Sequence, residues 1–194
     1  MKFTSIALVC AALFFVSFTR SEHSIPACYT SFKAAEGLKM QALVELTETE
    51  KTIILETATG NVSMTVIAGY SVAYINKNNA AVITLKVVQA DAATYAKDTA
   101  EALTNLNYLN NKDNNRESKG LITLNYNGYK IYGISHNTTT DKGPQGSFVM
   151  FPGKNIMVYI TFNNVAGSTE SLDDYKGRRN AFLGAYTAHV QNCR

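Results

Sequence analysis

The run from Lys119 to Ser135, KGLITLNYNGYKIYGIS, constrains the fold more than any other stretch. Asn-Gly between two alternating apolar segments specifies a two-residue hairpin turn, because both residues tolerate the positive φ that such a turn requires. A turn at Asn127-Gly128 pairs Tyr126 with Tyr129, Leu124 with Ile131 and Ile122 with Gly133 on an apolar face. Asn125 with Lys130 and Thr123 with Tyr132 fall on the wetter face. A lone hairpin is barely stable in water, so the apolar face needs cover. The expectation is a hairpin inside a sheet, with Ile122, Leu124 and Ile131 buried against a helix.

Upstream, from Tyr29 to Gln89, the segments KMQALVEL, KTIILETA, VSMTVIAG, YSVAYIN and AAVITLKVVQ are rich in Val, Ile, Thr and Tyr. Thr59-Gly60-Asn61, Ala68-Gly69 and Lys77-Asn78-Asn79 punctuate them as turns, which predicts antiparallel neighbours. Residues 32 to 46 also suit a short helix by their Ala, Glu, Lys and Leu content. Asp91 caps a predicted amphipathic helix running to about Leu109, followed by an exposed loop, NNKDNNR, over 110 to 116. Past the first hairpin come the polar loop from His136 to Gly146 and a second hairpin around Pro152-Gly153-Lys154-Asn155. On that hairpin Ile156, Val158, Ile160 and Phe162 share a face. A final helix starts near Ser168 or Ser171, with Glu170, Asp173 and Asp174 expected in its first turn, and runs to about Asn192. Its apolar stripe holds Leu172, Tyr175, Phe182, Leu183, Tyr186, Val190 and Cys193, with Arg179 in the middle.

Residues 1 to 21 have the layout of a secretory signal peptide: Lys2, an apolar run from Ile6 to Phe18 that is too short for a membrane span, and small residues at Thr19 and Ser21. The expectation is export to a periplasmic or extracellular space, and residues 22 to 194 as one α+β domain. Of 18 basic and 15 acidic residues, the leader takes Lys2 and Arg20, which leaves a nearly neutral chain with no nucleic-acid footprint. The roughly 170 remaining residues can bury about 70% of their unfolded surface without a metal or a dense disulfide framework. Cys28 and Cys193 are then the only thiols, and in an oxidising compartment they are expected to join.

Signals of chemistry are sparse. The three histidines, His23, His136 and His189, are too scattered to form a metal site. Gly143-Pro-Gln-Gly146 lies between strands and does not open a helix, so it is no phosphate loop. No cofactor is expected. Asn61-Val62-Ser63 and Asn137-Thr138-Thr139 are glycosylation sequons that matter only in a eukaryotic secretory path. Ser135, His136 and Asp141 make a triad-like set without the strand-turn-helix elbow of a hydrolase. Arg179 on an apolar stripe must reach water, pair with a carboxylate or stack on a ring such as Tyr175 or Tyr186. As an anion anchor it forms, with His136, Asp141 and Lys142 of the polar loop, the candidate ligand-binding set.

The run NGYKIYGISHNTTTDKGPQGSFVMFPGKNIMVYITF and the closing helix YKGRRNAFLGAYTAHVQNC, with several strands and a helix ahead of them, resemble the PsbP-like superfamily of small α/β/α sandwiches. The resemblance lies in the order of elements and carries no catalytic motif. It implies an antiparallel sheet flanked by helices, and a binding or accessory role without catalysis, since relatives of this fold are mostly non-enzymatic. A secreted hydrolase using the 135 to 141 loop is the alternative. The expected partner is a protein or small ligand, without nucleic acid or stable membrane insertion, bound by a monomer.

Overall fold

The computed structural model describes residues 25–34, 37–57, 60–76, 80–92, 95, 121–136 and 143–193, with the backbone alone for 52–57 and 60–65. The leader, the 110 to 116 loop, most of the helix expected over 91 to 109, and Asp141 and Lys142 lie outside the described residues. Ala92 and Tyr95 are helical.

Among the described residues, ten strands precede the C-terminal helix. They are β1 (Leu38–Met40), β2 (Val44–Glu45), β3 (Thr52–Thr57), β4 (Gly60–Thr65), β5 (Ala68–Asn76), β6 (Ala81–Gln89), β7 (Ile122–Tyr126), β8 (Tyr129–His136), β9 (Gln145–Gly153) and β10 (Ile156–Asn164). The helix is α1 (Leu172–Val190). Eight strands form one open antiparallel sheet in the order β1-β5-β6-β10-β9-β8-β7, with β2 also paired to β5; among the described residues β3 and β4 pair only with each other. The architecture is mainly β with a helix, broadly α+β. Within residues 32 to 46, the stretch that also suits a helix, Leu38–Met40 and Val44–Glu45 are strands β1 and β2. Among the described residues no helix is long and apolar enough to cross a membrane.

Both hairpins close on two residues of positive φ. Asn127 (52°) and Gly128 (80°) turn β7 into β8, with the register that the Asn-Gly signal predicts, from Tyr126 opposite Tyr129 to Ile122 opposite Gly133. Lys154 (53°) and Asn155 (60°) turn β9 into β10, with a register shift between Ile156 and Val158. The first hairpin sits at the sheet margin, not inside the sheet, because β7 is the last strand in the order. Ile131 on β8 is therefore fully buried, while Ile122 and Leu124 on the edge strand are half-buried. Ala68-Gly69 is not a turn. The chain breaks at Val66-Ile67, and Gly69 lies within β5, where an added Cβ would run into the Leu46 side chain.

Ser171 caps α1: its Oγ accepts from the Asp174 N–H at 3.1 Å, and the hydroxyl donates to Asp174 Oδ2 at 2.6 Å. Asp173 and Asp174 occupy the first turn, where the helix dipole favours them. Glu170 falls before the cap rather than within that turn. The helix lays Tyr175, Phe182, Leu183, Tyr186 and Val190 on a sheet face made by Ile83, Leu85, Ile131, Phe148, Ile156, Val158, Ile160 and Phe162, all essentially buried. Each such side chain contributes about 1.5 to 3 kcal/mol over leaving it in water.

A strap over residues 25–34 completes this layer. Tyr186 Oη donates to the Tyr29 carbonyl (3.1 Å) and Tyr74 Oη to the Phe32 carbonyl (2.9 Å), so the core tyrosines hold the strap backbone. The Phe32 ring meets Phe182 and Tyr186 edge-on, at 5.4 Å each. Cys28 is disulfide-bonded to Cys193, just past α1, with Cα atoms 5.7 Å apart. Burial raises the Tyr74 and Tyr186 hydroxyls above the ordinary tyrosine range, since an anion there would lose its hydration.

Candidate functional site

The first turns of α1 set three side chains against the sheet, Tyr175, Arg178 and Arg179, of which Tyr175 and Arg179 meet β8 and β9. Both guanidinium carbons lie 5.7 Å from the centre of the Tyr175 ring, so one phenol carries two cations. The two arginines then part. Arg179 is 3% exposed, lies 5.4 Å from the Phe148 ring centre, and donates through Nη1 to Ser135 Oγ (3.2 Å) and through Nε to Asn180 Oδ1 (3.0 Å). The Ser135 and Tyr175 hydroxyls are 2.9 Å apart. Gly146 makes this cluster sterically allowed, because a Cβ there would collide with both hydroxyls.

Arg178 turns the other way. Its Nε and Nη2 donate to Glu170 Oε1 (2.8 Å) and Oε2 (2.7 Å) in a two-pronged ion pair, with both side chains more than four-fifths buried. Nη2 also reaches Asn164 Oδ1 at 3.3 Å, and Asn164 Nδ2 donates to the Pro144 carbonyl (2.8 Å) and to Glu170 Oε2 (2.8 Å). The network ties the end of the polar loop to the segment that opens the helix. Nη1 of Arg178 is buried and has no hydrogen-bond partner among the described residues.

Arg178 also lines a cavity of about 290 Å³ between α1, the strap and β1. Its walls are Phe32, Leu38, Ala181, Phe182 and Ala185; Asn76 is the other polar side chain on it. The space exists because α1 presents alanines at 181 and 185, one turn apart, where larger side chains would reach the strap. Asn76 Oδ1 accepts from the Ala80 (2.8 Å) and Ala81 (3.2 Å) N–H groups.

Of the residues singled out from sequence, Asp141 and Lys142 lie outside the described residues, and Arg179 and His136 are placed apart. Arg179 is in the buried cluster with Ser135 and Tyr175, and is not among the residues lining the cavity. His136 ends β8 opposite Gln145. It follows Ser135 directly in the strand, so its side chain leaves the opposite face of the sheet, away from Tyr175 and Arg179. The Ser135 hydroxyl is 2% exposed and engaged by those two residues, so Ser135 and His136 do not face each other. Arg178 is the residue the sequence reading passed over. It sits one position off the apolar stripe, and Glu170, its partner, precedes the helix cap, so no helical spacing links them. Among the described residues no group of three or more His, Cys, Asp or Glu is placed to hold a metal.

No protein-family description, curated protein or solved structure matches this chain.

Proposed function

We propose that this chain is an exported, non-enzymatic binding protein that holds a small, largely apolar ligand between its C-terminal helix and its sheet. The observation that carries the reading is the cavity of about 290 Å³ walled by Phe32, Leu38 and Phe182, with Arg178 as its charged lining residue. Its size is at the lower edge of the roughly 300 to 1,000 Å³ typical of small-molecule sites, and its walls are apolar with few polar groups, as such sites are. Export is supported by the Cys28–Cys193 disulfide, which suits an oxidising compartment. The fold in this proposal is a PsbP-like α/β/α sandwich. What supports a second layer is burial on the sheet face away from α1, where Val88 and Met157 are fully covered and the helical Tyr95 meets the Phe151 ring at 6.3 Å.

A thermal-shift screen of small apolar compounds on the disulfide-bonded protein and on Ala185→Leu tests the reading. A compound at about 100 times its dissociation constant stabilises by roughly 2.7 kcal/mol, which is readily seen as a rise in Tm. The expected outcome is a shift in the wild type that the leucine, by filling the cavity, removes. Equal shifts in both proteins, or none in either, would remove the cavity from consideration.

A further inference from the structure

The fastening of the strap bears on how the cavity opens, on the premise that the cavity is a binding site. Phe32 is both a strap residue and a cavity wall. Backbone hydrogen bonds from Tyr29 to the Pro26 carbonyl and from Thr30 and Ser31 to the Ala27 carbonyl curl the strap on itself, so they fix its shape and leave its position to other contacts. Those contacts are the burial of Ile25 and Tyr29, the Tyr186 and Tyr74 hydroxyls on strap carbonyls, the Phe32 ring against Phe182 and Tyr186, and Ser31 Oγ 3.4 Å from His189 Nε2. All are non-covalent, and each is modest alone. Two firmer anchors bracket them: Leu38 pairs with Asn76 in the β1–β5 ladder, and Cys28 is bonded to Cys193. Beside the first anchor Gly37 holds φ at 99°, a glycine conformation about which the strap can turn. At the second anchor both cysteines are only partly buried, so a thiol can reach the bond.

We infer that the Cys28–Cys193 bond is a redox latch on the cavity: closed, it seats Phe32 as a wall, and opened by a dithiol reductant it lets the strap swing about Gly37, which unseats Phe32 and releases an apolar ligand. The chemistry is thiol–disulfide exchange. A thiolate of the reductant bonds to one cysteine sulfur, the S–S bond breaks, and its electron pair leaves on the other cysteine, which takes a proton. The second thiol of the reductant then displaces the first cysteine, so the reductant ends as a disulfide and the strap and helix each hold a thiol. With the bond in place the strap docks between two fixed points. Without it the strap keeps only the anchor at Leu38, and docking must overcome more chain freedom. The linkage is reciprocal. If the bond tightens ligand binding by about ten-fold, bound ligand opposes reduction by the same factor and lowers the potential of the couple by about 30 mV.

Two measurements test the latch on the disulfide-bonded protein, on the same protein held reduced by dithiothreitol, and on Cys28→Ser with Cys193→Ser. Hydrogen exchange is followed by mass spectrometry on peptides covering the strap, β6 and β10, and the affinity of the apolar probe butylbenzene is taken by chemical-shift titration. On reduction the strap should exchange faster by about ten-fold or more while β6 and β10 keep their protection. The dissociation constant of butylbenzene should rise by about ten-fold or more, and the serine variant should match the reduced protein. A strap that exchanges no faster once reduced would overturn the inference, because its other contacts would then hold it. Loss of protection in all three peptides together would overturn it too, since the bond would then secure the whole domain and not a gate. A loosened strap with unchanged butylbenzene affinity would overturn the latch while leaving the cavity a binding site. If neither butylbenzene nor any compound of the thermal-shift screen bound the oxidised protein, the cavity reading would fail and the latch with it.

Discussion

The two ends of α1 are held in opposite ways. The amino-terminal end rests on charge: Arg178 on Glu170, Arg179 on the Ser135 hydroxyl, and Tyr175 between the two guanidiniums. The carboxy-terminal end rests on neutral contacts: Tyr186 on the Tyr29 carbonyl, Tyr129 on the Val190 carbonyl (3.4 Å), the turn amide of Asn127 on Gly184 and Thr187, and the covalent link from Cys193 to Cys28. The difference teaches where adaptability can reside. A neutral, cross-linked end is sealed once folded, whereas the charged end borders the cavity through Arg178.

Removing the cross-link should have the largest effect. Cys28→Ser with Cys193→Ser frees a closure of 165 residues, and chain-entropy arithmetic puts the loss at about 4 to 5 kcal/mol. Urea unfolding of oxidised and variant protein measures it. A loss below about 1 kcal/mol would mean that the tyrosine contacts hold the strap unaided.

Next in size is Glu170→Ala, which leaves the Arg178 guanidinium buried without its anion. Breaking a buried pair by removing one partner costs about 3 to 5 kcal/mol, and with both side chains slightly exposed the lower figure is expected here. A double-mutant cycle with Arg178→Met isolates the pair. If Glu170→Ala changed stability by less than about 0.5 kcal/mol, the pair would be no stronger than a surface salt bridge and the contrast between the two ends would collapse.

The smallest effect is expected from Tyr186→Phe, which deletes the hydrogen bond to the Tyr29 carbonyl and should cost about 1 kcal/mol at neutral pH. The same residue sharpens the comparison through pH. Tyr74 and Tyr186 have hydroxyls raised by burial, so the folded state keeps its protons where the unfolded chain releases them. That contribution is fully present below about pH 10, the unfolded tyrosine value, and is lost as pH climbs towards the folded-state values. Stability should therefore fall at alkaline pH, and less steeply in Tyr186→Phe. Parallel pH profiles for the two proteins would show that the Tyr186 hydroxyl does not titrate differently on folding.

Local rules made the two hairpins legible in the sequence, since an Asn-Gly pair fixes turn type and register within a few residues, and alternation then assigns the faces. Position within the sheet was not legible, because it depends on pairing between distant strands. For the same reason Leu124 is half-buried on an edge strand rather than enclosed. Gly69 looked like punctuation but answers a steric demand from Leu46, a neighbour only after folding. On the helix, the wheel correctly singled out Arg179 as an intruder in the apolar stripe, yet the cavity belongs to Arg178. The cavity itself is the volume left by two alanines, a strap and a short edge strand, and empty space has no signature in a sequence.

The bond between Cys28 and Cys193 also decides how the domain responds to tension. A pull on its two ends reaches the sulfur atoms first and passes across the bond, so the sheet, its turns and α1 carry no load and contribute no extension. Once reduced, the same pull peels the strap from the helix and then unravels a segment of 165 residues, releasing roughly 500 to 600 Å of extended chain. Two electrons thus separate a mechanically inextensible module from a long elastic tether.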